Sequence, residues 1–236
     1  MHDSIASPFL SVIVPVLNEE ATVQGSLAAL QELRRRGAEV LLVDGGSSDA
    51  TCTLAAAGVD RMISATRGRA TQMNAGAAAS TGEVLLFLHA DTTLPPAADA
   101  LIRQAIAGGA VWGRFDVKID GPHFLLRVVE TLMNWRSRTT GIATGDQALF
   151  IRRQVFERSG GYPELPLMED IALSKRLKGL ARPACLRARV TTSGRRWQQN
   201  GVLRTIFLMW RLRACYFLGA DPQQLAFRYG YLPGKQ

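Results

Sequence analysis

An unbroken apolar run, Val84-Leu85-Leu86-Phe87-Leu88, ends abruptly in His89-Ala90-Asp91-Thr92. A short run with no polar interruption reads as a strand buried on both faces, and such strands belong to parallel sheets covered by helices. In open α/β sheets, ligands bind beyond the carboxyl ends of the strands. Asp91 therefore stands where a strand opens onto a site. Two more runs share the pattern. Leu10 to Leu17 leads into Asn18-Glu19-Glu20, and Glu39 to Val43 leads into Asp44-Gly45-Gly46-Ser47-Ser48-Asp49.

Helical patterns lie between these runs. Ala21 to Arg36 places Leu27, Leu30 and Leu33 on one side and stops at Gly37. Ser47 and Ser48 are expected to cap a helix after the second strand. Val59 to Ile63 reads as a third strand and Arg69 to Ala79 as an alanine-rich helix. Pro95 and Pro96 open a helix over 97–107, as proline does at a first turn. This alternation predicts an α/β fold: a Rossmann-like, mostly parallel sheet flanked by helices over the first 107 residues. The second half reads as mixed. Val111, Phe115, Val117 and Ile119 alternate with Trp112, Arg114, Asp116 and Lys118, which predicts a half-exposed, antiparallel strand. A helix at 124–138, a strand at 148–151, a helix at 168–180 and a strand at 184–192 follow. Two C-terminal helices are expected at 202–218 and 222–229.

The 236 residues are 47% hydrophobic, enough for one compact domain over 1–236. The formal net charge is +8, and arginines crowd the second half, which favours an anionic partner. No nucleic-acid motif and no interleaved stacking aromatics occur, so no nucleic-acid partner is expected. Cys52, Cys185 and Cys215 are widely spaced and odd in number. They imply a reducing compartment, no zinc site and buried or inert thiols. The short polar start, Met1 to Pro8, reads as no signal peptide. A cytoplasmic location is expected, or one peripheral to the inner face of the membrane. The most apolar helix, Gly201 to Gly219, is broken by Arg204, Arg211 and Arg213, too costly for a bilayer span. It either lies at a membrane interface, packs on the sheet or forms a homodimer contact, with the last two favoured.

Four motifs occur in order: Ser11-Val-Ile-Val-Pro-Val-Leu-Asn-Glu-Glu20, Val43-Asp-Gly-Gly-Ser-Ser-Asp-Ala-Thr51, the Asp91 strand end, and Met168-Glu-Asp-Ile-Ala172. Over residues 10–180 the chain resembles the GT-A-fold inverting nucleotide-sugar glycosyltransferases, the large family that includes dolichol-phosphate mannosyltransferases and cellulose synthases. The likeness thins after Leu180. It implies a GT-A-like fold, a nucleotide diphosphate sugar donor (UDP- or GDP-linked), a divalent cation (manganese or magnesium) and transfer to an acceptor hydroxyl of unknown identity. Residues 1–107 would then bind the nucleotide, 108–200 would carry the acceptor and catalytic groups, and 201–236 would form a helical appendage.

On the donor side, Pro15 stiffens the first strand end, and Asn18 and Glu19 offer partners to a base; the alternative for Asn18 is a helix cap. The resemblance implies that Asp44 accepts from base or ribose. Gly45 permits close backbone approach, and Ser47 stands at a helix start that attracts anions. Arg67 and Arg69 flank Gly68 ahead of a helix. Cations there oppose the helix dipole, and a bound diphosphate would offset the penalty. His89-Ala90-Asp91 occupies the place of the family's Asp-x-Asp metal motif, with His89 for the first aspartate. The metal role falls to Asp91, since magnesium takes one or two carboxylates plus phosphates and waters. His89 is expected to contact ribose, to pack or to act indirectly, with the last two favoured. Glu169 and Asp170 are either ordinary first-turn acids or catalytic; the resemblance selects Asp170 as general base, with burial or neighbouring Glu169 needed to offset the helix N-terminus, which would weaken it as a base. Asp146 and Gln147 either line the acceptor side or belong to a polar turn, and the resemblance places Arg196 and Trp197, which match part of the family's Gln-x-x-Arg-Trp motif, on the acceptor side. Asp44, Asp91 and Asp170 are expected to converge on one pocket. The rival readings are a nucleotidyltransferase, against which the acidic Asn18-Glu19-Glu20 argues, and a non-catalytic nucleotide-binding or membrane-docking module.

Overall fold

The computed structural model describes residues 7–230. The extreme N-terminus, read above as free of a signal peptide, and the last six residues of the appendage lie outside that range. In chain order the elements are β1 (Leu10–Val16), α1 (Val23–Arg35), β2 (Glu39–Asp44), α2 (Thr51–Ala55), β3 (Arg61–Ser64), α3 (Arg69–Ala79), β4 (Val84–Phe87), β5 (Thr92–Thr93), α4 (Ala98–Ala107), β6 (Trp112–Ile119), α5 (Phe124–Thr140), β7 (Leu149–Arg152), α6 (Arg153–Arg158), α7 (Glu169–Leu180), β8 (Ala184–Thr192), α8 (Arg195–Asn200), α9 (Val202–Phe217) and α10 (Pro222–Tyr229).

Among the described residues the strands form one sheet in the order β3-β2-β1-β4-β7-β6-β8-β5. The four strands β1 to β4 pair in parallel. β7 is antiparallel to β4, with Phe87 opposite Leu149. β6 runs antiparallel to β7 and parallel to β8. The sheet is thus parallel in the first half and mixed in the second, as the sequence pattern predicts.

Strand periodicity explains the two layers. Val12, Val14 and Val16 face one way and pack with Leu27, Leu30 and Leu33 of α1. Ile13, Val43, Leu85 and Phe87 face the other way, against Met73 and Ala77 of α3. Each such burial contributes about 1.5–3 kcal/mol. Helix α3 sits very close to the sheet at Gly76, where a Cβ would lie 2.5 Å from Cγ2 of Ile13.

Three expectations need correction. Strand β6 is not half-exposed: only Lys118 reaches solvent, and Arg114 is fully buried. Helix α5 covers its polar side with matching groups. Arg114 pairs with Asp116, which also binds Arg138 at 2.6 Å. The Asn134 amide clasps the Val117 backbone, accepting from its N–H at 2.8 Å and donating to its carbonyl at 2.9 Å. Buried polar groups are tolerated when they are paired in this way. Second, Ser47 and Ser48 cap no helix. α2 begins at Thr51, whose N–H donates to Asp49 at 3.0 Å. The third is partial: the cysteines, expected to be buried or inert, are free and half-buried. Desolvation, reinforced by Asp44, pushes the Cys52 thiol above its usual range, which keeps it unreactive.

Helices α9 and α10 pack Leu212, Leu225 and Ala226 against Met168 and Ile171 at the start of α7. Among the described residues, no helix is long and apolar enough to cross a membrane.

Candidate active site

The site lies along the sheet edge where β1 and β4 end and β7 begins. A cleft of 450 Å³ is lined there by Glu19, Arg69, His89, Asp91, Asp146 and Asp170, among others. A second lobe of 200 Å³ is lined by Pro15, Glu19, Arg67, Arg69, His89 and Asp91. Glu19, Arg69, His89 and Asp91 face both, so the two lobes are continuous.

Asp170 stands in the first turn of α7. Its carboxylate accepts from the N–H of Gly145 at 2.8 Å and from the N–H of Ile171 at 2.7 Å. Met168, just before the helix, has φ +69°, a left-handed conformation that costs a non-glycine residue of order 1–3 kcal/mol. The buried contacts of Met168 with α9 and α10 hold that turn and aim the acids of α7 at the cleft.

Gly145 belongs to a 3-10 turn, Gly145–Gln147, that leads into β7. Gln147 lies beneath this turn and is fully buried. Its Oε1 accepts from the N–H of Thr144 at 3.2 Å and its Nε2 donates to the Ser137 hydroxyl at 3.1 Å. Of the two readings of Gln147, acceptor side or polar turn, the structure favours the turn, which its amide builds. Asp146, by contrast, lines the cleft, with its carboxylate 3.5 Å from Nδ1 of His89.

The electrostatics divide the acids into two kinds. Burial opposes charge on Asp146, yet His89, Arg69 and Arg213 together hold its carboxyl below the usual range. Glu169 is buried, and desolvation followed by the charge of Asp170 lifts its carboxyl to about 7, with Arg69 opposing. Desolvation works against the charge of Arg69, but Glu169, Asp146 and Asp170 outweigh it and keep the guanidinium firmly protonated. A fixed cation thus faces a group of carboxylates at the junction of the two lobes.

The remaining donor-side residues build the rim rather than line it. Asp44 accepts from the N–H of Gly46 at 3.0 Å, the N–H of Ser47 at 3.1 Å and the Ser47 hydroxyl at 2.5 Å. Saturated by these turn donors, it lines neither lobe, so Asp91 and Asp170 share the cleft and Asp44 does not. Asn18 does not cap α1. Its Oδ1 accepts from Ser48 N–H at 2.9 Å, and its own N–H donates to Ser47 Oγ at 2.9 Å, clasping the ends of β1 and β2 together. Gly45 lies under Gln72, where a Cβ would come 3.0 Å from the amide. Gly68 precedes α3 with φ +150°. Arg196 lines the cleft while its guanidinium stacks 3.6 Å from the Tyr229 ring centre, and Trp197 lines the cleft beside it.

Sequence reasoning missed Gln72, whose Nε2 donates to Val16 O and Val43 O at 2.8 Å each. It also missed Tyr229, Arg136 and Arg213. The spacing Thr144-x-x-Gln147 is a capping-box signal that marks the turn into β7. No local signal exists for Gln72 or Tyr229, whose partners are far away in sequence.

Among the described residues, no group of three or more His, Cys, Asp or Glu is placed to hold a metal ion. The β4 end offers one cleft-facing carboxylate, Asp91, while His89 is turned to Asp146. That is too few donors for an ion held by protein alone. It fits a magnesium or manganese ion that brings phosphate and water oxygens with it.

A family model described as Glycosyl transferase family 2 matches residues 11–160. The probable glycosyltransferase YdaM of Bacillus subtilis (strain 168) is 28% identical over 198 residues, covering 73% of this chain and 47% of that protein. The PGL/p-HBAD biosynthesis glycosyltransferase Rv2957 of Mycobacterium tuberculosis (strain ATCC 25618 / H37Rv) is 36% identical over 108 residues, 43% of this chain and 42% of its own. The chain thus spans just under half the length of these relatives. Among solved structures, the mannosyltransferase PcManGT from Pyrobaculum calidifontis, in complex with GDP-Man and Mn2+, superposes with a TM-score of 0.63 at 21% identity, over 98% of this chain and 66% of that one. Glucosyl-3-phosphoglycerate synthase from Mycobacterium tuberculosis, with Mn2+, UDP and phosphoglyceric acid, gives 0.58 at 20% identity, over 79% and 70%. These likenesses show a shared GT-A fold. With the family model matched from the first strand to just past α6, this chain belongs to glycosyl transferase family 2.

Proposed function

We propose that this glycosyltransferase takes a sugar from a nucleoside diphosphate sugar and passes it, with inversion at the anomeric carbon, to an acceptor hydroxyl activated by Asp170. One observation carries the reading. The Asp170 carboxylate is fixed by two backbone N–H groups in the same cleft that Arg69 and Asp91 line. A carboxylate with one donor on each oxygen keeps lone pairs free to accept an acceptor's proton.

The lobe between Pro15 and Asp91 suits the donor, and the solved relatives named above carry GDP-Man or UDP with Mn2+ in complexes of their own. In the transfer, the acceptor oxygen bonds to the anomeric carbon and its proton passes to Asp170. The bond from that carbon to the diphosphate oxygen breaks, and its electron pair leaves with the diphosphate. Arg69 faces the charge that builds on the leaving group. A divalent cation, held by Asp91 when bound, would supply further positive charge there. Glu169, near half-protonated at neutrality, spares Asp170 a second full negative charge beside it. His89 and Asp146 hold each other at the cleft wall. The family assignment argues against the nucleotidyltransferase and non-catalytic alternatives.

The test is Asp170→Asn, assayed for transfer or donor hydrolysis across a panel of UDP- and GDP-sugars, with nucleoside diphosphate binding followed by calorimetry. Turnover should fall about 10²–10⁴-fold while nucleotide affinity is kept. Turnover at the wild-type rate would remove Asp170 from the role of base.

A further inference from the structure

Beside the cleft lies a groove of 240 Å³ between α5 and α9. Val128, Leu132, Met133, Ile206, Met209 and Trp210 make it largely apolar. It is larger than the ~150 Å³ apolar cavity that admits benzene. Val128 and Leu132 are each 47% exposed and Trp210 is 60% exposed, so its outer walls are open to solvent. Its inner limit is shared with the catalytic cleft, since Met133, Asp146, Trp197, Met209 and Arg213 line both.

Two guanidiniums stand in this groove with unmet hydrogen bonds. Nε and Nη2 of Arg136, and Nε of Arg213, are buried without a partner. Buried charged donors without acceptors are costly, and two neighbouring cations compound the cost. Desolvation and then the charge of Arg213 lower the Arg136 pKa to about 10, while Asp170 acts in the opposite sense. Arg136 is still a cation at neutral pH. An anion bridging the pair would satisfy these N–H groups with charge-assisted bonds. A bare bilayer surface would not reach buried guanidiniums, and an apolar partner helix would leave them unpaired.

We propose that the acceptor is an anionic amphiphile whose hydrocarbon chain lies in the α5–α9 groove and whose anion is held by Arg136 and Arg213, bringing its head to Asp170. This rests on the reading of the Asp170 cleft as the transfer site. The groove supplies the affinity for the chain, and the arginines set how deep the head enters.

The probe is octyl phosphate below its micelle concentration, compared with inorganic phosphate and 1-octanol. Binding is followed by calorimetry and by the fluorescence of the protein, whose Trp197 and Trp210 line the groove. Octyl phosphate should bind roughly tenfold or more tightly than either fragment. Arg136→Gln and Arg213→Gln should each weaken it by about tenfold, as should Val128→Asp on the exposed wall, where misfolding is not a concern. Calorimetry of UDP and GDP with manganese on the same preparations separates the two readings. If nucleotide binding is lost as well, the donor-site reading fails. If nucleotides bind but octyl phosphate binds no better than inorganic phosphate, this proposal alone fails. It fails equally if the variants bind like wild type. Binding to phosphatidylglycerol vesicles without octyl phosphate binding, or a dimer broken by Val128→Asp and indifferent to octyl phosphate, would assign the groove to a membrane or to a second copy and overturn it.

Discussion

The imidazole of His89 fills the space that a side chain at Gly145 would need: a Cβ there would lie 2.4 Å from Nε2. The backbone N–H of the same glycine holds Asp170 at 2.8 Å. The ring at the β4 end and the carboxylate of α7 are therefore coupled through one residue that has no side chain.

Gly145→Ala should break that coupling. The methyl group must displace His89 or shift the turn, an overpacking cost of about 1–3 kcal/mol in stability. Turnover should fall by about tenfold or more while UDP or GDP affinity is retained. A second change, His89→Ala, should restore part of the loss, and a double-mutant cycle of kcat and melting temperature reads it directly.

Glu169 makes stability depend on pH. Its carboxyl sits at about 7 in the fold against 4.5 in the unfolded chain, so the native state holds a proton that the unfolded state has released. Stability from this group is complete below pH 4.5 and declines as pH rises through about 7. The full difference is on the order of 3 kcal/mol as an upper bound. Glu169→Gln should flatten the melting curve against pH over that window. An unchanged slope would mean that Glu169 is ionised throughout.

Nucleotide binding should require a divalent ion through Asp91. Chelation with EDTA should weaken UDP or GDP binding by at least about tenfold, and manganese should restore it. In Asp91→Asn the manganese response should vanish. Calorimetry with and without the ion reads both effects, and metal-independent binding by the wild type would remove the role given to Asp91.

The parts of the fold legible in the sequence were those fixed by local chemistry. The runs at Val12–Val16, Val40–Val43 and Val84–Leu88 had no reading but buried strand, and their acidic ends marked the rim where the cleft lies. Asp170 was singled out by the family resemblance alone, since a first-turn acid is by itself an ordinary pattern. Strand β6 misled because alternation of Arg114 and Asp116 with apolar neighbours is the usual mark of a solvent face. Here the water is replaced by Asn134, Glu130 and Arg138 of α5, a substitution that a period of two cannot reveal. Asp44 misled for a different reason: an acid at a strand end can equally be used up by its own turn. His89 against Gly145, Gln72 across two strand ends and Arg136 beside Arg213 are contacts made only once the chain has folded.

Gln72 offers a test of such a contact. Its amide holds Val16 O at the end of β1 and Val43 O one residue before the end of β2, in a buried position. Gln72→Ala leaves both without that donor, at a cost of about 2–4 kcal/mol. The melting temperature should drop by roughly 5–15 °C. Donor affinity should fall with it, because Gly45 and the loop it begins rest on that side chain.

Strand β7 runs against β4, with Leu149 opposite Phe87. In a wholly parallel sheet only outgoing connections reach the ligand-binding edge. The reversal adds an incoming one, so residues 144–148 arrive where residues 88–92 depart. The mouth of the cleft is thereby stitched from two segments of opposite polarity. Because Gly145 packs against His89, any lengthening of the approach to β7 would reshape the α5 side of the cleft and carry the ring at the β4 end with it.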